Sequence, residues 1–150
     1  MKNKFKFLCF CGLLLIFLNG CSFQNNKKIT MAEYMKEIVE CNAKFNNEID
    51  EILDQIETYS GTESAKERLN NLIDSAISII DYLKNDLGSK IPDEAEKHYK
   101  SMMEAYNLYK EGLELYRSSV PAPLGDERKN NIKSAEDKFE QALQKIKNIK

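Results

Sequence analysis

Tryptophan is absent from the 150 residues, histidine occurs once, and there are only three prolines and four cysteines. Each shortage closes a class of function. A single histidine, His98, cannot supply the paired Glu-x-x-His ligands of a di-iron bundle. Beyond residue 21 there is no Gly-rich phosphate loop, no Gly-x-Ser-x-Gly elbow and no Cys-x-x-Cys pair. Arginine is confined to Arg68, Arg117 and Arg128, and acids outnumber bases by 24 to 22. The concentrated basic face that phosphate backbones require is missing, so nucleic acid is not an expected partner. The cysteines do not form a disulfide framework either. Cys9, Cys11 and Cys21 all lie near the N-terminus, which leaves Cys41 alone inside the domain with nothing to bridge. A lone cysteine of this kind is most often a small buried hydrophobe. The fold must stand on packing.

What is present begins with the first 21 residues. Lys2, Lys4 and Lys6 form a positive segment, followed by an apolar run from Phe7 to Leu18. That run is about a dozen residues, the length of a signal-peptide core and short of the ~20 that span a bilayer. It ends in Leu18-Asn19-Gly20-Cys21. Here the sequence resembles the bacterial lipoproteins, whose lipobox carries Leu, a permissive residue, Gly or Ala, and then Cys. Leu18, Gly20 and Cys21 match the demanding positions. The resemblance implies cleavage after Gly20, a diacylglyceryl thioether on Cys21, and a domain held by its lipid anchor at the cell membrane, facing away from the cytoplasm. Residues 1–20 are then a signal peptide, 21–29 the lipidated cysteine and tether, and 30–150 the folded domain. With Lys2, Lys4 and Lys6 removed, the 22 basic residues fall to 19 against 24 acidic ones, net −5.

Beyond residue 29 the apolar spacing is helical almost throughout. The first segment steps by four and three through Met31, Met35, Ile38, Asn42, Phe45, Ile49, Ile52, Ile56 and Tyr59, a heptad seam with one polar interruption. Thr30 and Glu33 form a capping box before it, and Gly61 suits a left-handed C′ position after it. The second segment has a wider face: Ala65, Leu69, Leu72, Ile73, Ala76, Ile77, Ile80, Leu83 and Leu87, with Gly88 closing it. Pro92 opens the third at a first-turn position, and its seam is Ala95, Tyr99, Met102, Tyr106, Tyr109, Leu113 and Tyr116. A Pro-rich stretch from Val120 to Gly125 separates it from a fourth, capped by Asp126, with Ile132, Ala135, Phe139, Ala142, Ile146 and Ile149 facing inward. The 3.5-residue spacing and short connections predict an all-α, antiparallel up-down-up-down four-helix bundle. The fourth seam is the thinnest, and a three-helix core with a loosely docked fourth helix is the alternative.

No catalytic constellation emerges, and no metal ligand set or cofactor is expected. Glu94 and His98 stand one turn apart without further donors. Two features point to recognition instead. Asn42 puts an amide in an otherwise apolar seam, where such residues fix register. Tyr99, Tyr106, Tyr109 and Tyr116 form a stripe on one helix, suited either to a core or to a docking groove, since tyrosine is enriched at interfaces. The sequence also resembles small helical lipoproteins of Gram-positive bacteria through Ile91, Pro92 and His98 ahead of a long helix, a likeness that implies no mechanism. The expected function is a non-enzymatic module binding a membrane or cell-wall protein. The alternative is a lipoprotein that binds a small molecule, a lipid or a wall fragment between its helices.

Overall fold

The computed structural model describes residues 28–120 and 125–149. The leader, Cys21, the tether up to residue 27 and the prolines of the last loop lie outside the described residues. Four helices run up, down, up and down: α1 (Met31–Glu57), α2 (Glu63–Tyr82), α3 (Glu96–Ser119) and α4 (Asp126–Lys147). No strand occurs among the described residues. The protein is an all-α four-helix bundle.

Local sequence fixes the ends. Thr30 and Glu33 close the expected capping box, the Thr30 hydroxyl accepting from the Glu33 N–H at 3.2 Å and the Thr30 N–H donating to the Glu33 carboxylate at 2.8 Å. Thr62 caps α2 through the Ala65 N–H. Gly61 is left-handed, with φ +75. It sits in the turn, however, because α1 has already closed at Thr58, whose N–H and hydroxyl both donate to the Asp54 carbonyl. Three further boundaries differ from expectation. α2 does not stop at Gly88; it widens into a π-helical turn over Leu83–Leu87 and tightens to 3-10 over Gly88–Lys90. Pro92 precedes a 3-10 turn, Asp93–Ala95, and α3 begins only after it. Gly125, not Asp126, is the residue ahead of α4, and Asp126 supplies first-turn negative charge instead.

The core runs through all four helices. On α1 the innermost residues are Tyr34, Ile38, Cys41, Phe45, Ile49 and Ile52, while Met35 and Asn42 are half-buried. The seam is therefore rotated by part of a turn from the one expected, because α1 packs against α2 and α3 together. Leu69, Ile73, Ala76 and Ile80 fill the middle of α2. Leu83 and Leu87 of the π-turn continue the same face.

α3 and α4 are the closest pair. Ala105, Gly112 and Ser119 recur at seven-residue intervals on α3, as Arg128, Ala135 and Ala142 do on α4, and all are buried. A side chain at Gly112 would strike the Phe139 ring and lie 3.1 Å from the Ala135 carbonyl oxygen. The small residues among them, Ala105, Gly112 and Ser119 on α3 and Ala135 and Ala142 on α4, let the two backbones approach while Phe139 lies across the gap. The ion pairs Lys138–Glu111 at 2.6 Å and Lys145–Glu104 at 2.8 Å follow the same antiparallel register. They are half-exposed and contribute at most about 1 kcal/mol each. The thin seam of α4 is compensated by proximity, and the helix is closely docked. We expect Gly112→Ala to destabilise by about 1–3 kcal/mol, the usual cost of overpacking. Denaturant unfolding monitored by circular dichroism reads this, and an unchanged midpoint would mean the α3–α4 gap is wider than described.

Candidate functional site

A row of aromatic rings crosses the middle of the bundle. Phe45 on α1 meets Tyr106 and Tyr109 on α3, each at 5.1 Å between centroids in edge-to-face geometry. Tyr109 and Tyr116 in turn meet Phe139 on α4 at 5.1 and 5.4 Å. Such pairs add about 0.5–1.5 kcal/mol each beyond the area they bury. Tyr106, Tyr109 and Tyr116 are 3%, 5% and 1% exposed, so three of the four stripe tyrosines present no ring to solvent. Burial pushes their hydroxyl ionisation well above the ordinary tyrosine range. They hold the fold from inside.

Asn42 belongs to the same assembly. Its side-chain oxygen accepts from the Tyr106 hydroxyl, a polar tie between α1 and α3 beside the aromatic row. Cys41, adjacent on α1, is buried and free. Burial raises its thiol pKa, with Glu37 and then Glu40 acting in the same direction against Lys44. A thiol held protonated in this way is a poor nucleophile. Tyr99, the fourth of the stripe, is half-buried and works differently. Its hydroxyl donates to the carbonyls of Leu83 and Lys84 at 3.0 and 3.3 Å, taking up oxygens at the π-helical turn of α2.

A second polar group stands at the end of the bundle where α1 and α3 begin. The Tyr34 hydroxyl and His98 Nδ1 are 3.0 Å apart, and the two rings meet edge to face. Burial lowers the His98 pKa from 6.5, favouring the neutral imidazole. At the far end the Arg128 guanidinium lies 4.4 Å over the Tyr59 ring, and the Tyr59 hydroxyl donates to the Val120 carbonyl at 3.4 Å. Among the described residues, no group of three His, Cys, Asp or Glu side chains is placed to hold a metal ion. No described helix is long and apolar enough to cross a membrane.

The outer surface supplies the remaining candidates. Val39 on α1 is 56% exposed and Tyr82 on α2 is 40% exposed, the Tyr82 hydroxyl donating to Glu37 at 3.0 Å. Sequence reading passed over both. Their signal was position: each is a large apolar or aromatic residue set off the apolar stripe of its own helix. A shallow depression of about 420 Å³ also opens between α1 and α2, lined by Glu48, Glu67, Arg68, Asn71 and Ser75 with Leu72 among them. Comparison with protein-family models, with curated proteins and with solved structures finds no match to this chain.

The half-buried histidine gives the fold a pH dependence. Because its pKa is depressed, the unfolded chain takes up this proton first as the pH falls. Its contribution is whole above pH 6.5 and is lost progressively below it. Glu136, whose carboxyl burial raises above 4.5, acts in the opposite sense and at lower pH. Melting temperatures between pH 7.5 and 5.5 are expected to fall less steeply for His98→Gln than for the parent chain. Equal slopes would show that His98 is solvated in the fold.

Proposed function

We propose that the chain is a membrane-anchored lipoprotein whose bundle serves as a non-enzymatic protein-interaction module outside the cytoplasm. The anchor follows from the lipobox resemblance at Leu18-Asn19-Gly20-Cys21. The observation that carries the module reading is the disposition of the aromatic residues. Tyr106, Tyr109 and Tyr116 are used up in the core, while Tyr82 and Val39 are left on the outer surface of the first two helices. Recognition then belongs to the exterior of a filled bundle, where an exposed tyrosine can bury a large ring in a partner at little conformational cost.

A second reading rests on the depression between α1 and α2. Arg68, Asn71, Ser75 and two carboxylates there offer convergent polar groups that suit a small hydrophilic ligand such as a cell-wall fragment.

The two readings separate in one set of experiments on the full chain in its own cells. Fatty-acid labelling should be present in the parent and absent from Cys21→Ala; persistent labelling of that variant would refute the anchor assignment. A photo-crosslinker placed at Tyr82 should give one discrete protein adduct, absent when the probe is moved to exposed Lys133 on α4. No adduct at Tyr82, together with a thermal shift from wall fragments that Arg68→Ala abolishes, would transfer the function to the depression.

A further inference from the structure

The chain does not enter α1 as a loose tail. The Lys28 ammonium pairs with the Asp93 carboxylate, and the Ile29 N–H donates to the Lys90 carbonyl at 2.9 Å. The Ile29 and Ile91 side chains both pack against the core, and one turn further on Tyr34 meets His98. The start of the domain is thus strapped to the connection between α2 and α3, on one end of the bundle.

From this strap we infer that the bundle stands end-on at the lipid surface, with the π-turn and α2–α3 connection, residues 83–95, apposed to the headgroups and the Gly61 turn held away from them. The inference rests on the lipoprotein reading above. Six residues lie between Cys21 and Lys28, so the seven steps of chain reach at most about 25 Å. α1 alone, at 27 residues, is about 40 Å long. The tether is too short for the bundle to stand inverted, with the far end on the bilayer and the strapped end about 40 Å above it.

Charge favours the same posture. Around the strapped end, residues 28–34, 83–98 and 144–149 carry six lysines against five acids. Around the far end, residues 50–68 and 114–129 carry five basic residues against nine acids. The strapped end is therefore spared the acid excess that the middle and the far end of the bundle carry. Anionic headgroups repel the far end and not the strapped one, over the ~8–10 Å reach of charge at physiological salt.

The test uses the full lipidated chain, with Cys41→Ser, in vesicles of phosphatidylcholine and phosphatidylglycerol carrying a headgroup acceptor dye. A donor dye is attached through Ser89→Cys beside the α2–α3 connection or through Ser60→Cys in the α1–α2 turn, both exposed positions. Energy transfer is expected to be at least about twofold stronger from position 89, given the ~40 Å between the ends. Lys28→Glu, which breaks the strap and adds negative charge at that end, should shrink that contrast while the protein still floats with the vesicles and keeps its helical circular dichroism. Equal transfer from both positions, or stronger transfer from 60, in protein that floats would overturn the orientation and leave the anchor intact. Chain that fails to float with the vesicles would overturn both.

Discussion

The packing of α3 against α4 across Gly112 is the constraint on which the rest of the bundle depends. Phe139 can lie over the α3 backbone only because position 112 carries no side chain, and from there its ring reaches both Tyr109 and Tyr116. Tyr109 passes the contact on to Phe45, so a single row of rings ties α4 to α1 through α3. α2 joins the same helix from the other side through Lys110–Asp81 and Arg117–Asp74, at 2.7 and 2.5 Å. α3 is the hub. A fourth helix with few large apolar residues docks well because it brings its backbone close, and close backbones bury area that side-chain size would otherwise have to supply.

Using tyrosine as a core residue sets a second condition, since each buried hydroxyl needs a partner. For three of the tyrosines the partner lies at a joint between helices. Tyr106 reaches Asn42 on α1, Tyr34 reaches His98 on α3, and Tyr99 reaches the widened turn of α2. These ties give the bundle register as well as cohesion, because an apolar seam alone permits sliding by a heptad and a hydroxyl facing one amide does not. The cost is that the tyrosines are withdrawn from recognition, which moves the candidate binding surface to Tyr82, Val39 and the α1–α2 depression.

Much of this was legible in the sequence, for reasons that can be stated residue by residue. Four helices followed from apolar spacing, the capping box at Thr30 from its local chemistry, and the burial of Cys41 from its place beside the first seam. The choice between Tyr34 and Met35 was not legible, since adjacent positions on a helix differ by a rotation that only the neighbouring helices decide. The π-turn was hidden for a similar reason, since the hydroxyl that bonds its first carbonyls comes from Tyr99, 16 residues away from Leu83. The small residues Ala105, Gly112 and Ser119 against Ala135 and Ala142 were in plain view at heptad spacing, but small residues read as weak core until their partners are known. The stripe of tyrosines suited core and groove equally in sequence, and burial decides for the core.

Native-state hydrogen exchange tests the central role of α3 most directly. If α3 is the hub, its amides from Met102 to Tyr116 and those of α4 around Ala135 and Phe139 will exchange only through global unfolding, at one shared free energy. The π-turn from Leu83 to Leu87 will open locally at a lower one. Exchange of α4 at a distinctly lower free energy than α3, with the other three helices still protected, would contradict the account and leave a three-helix core with a loosely attached fourth.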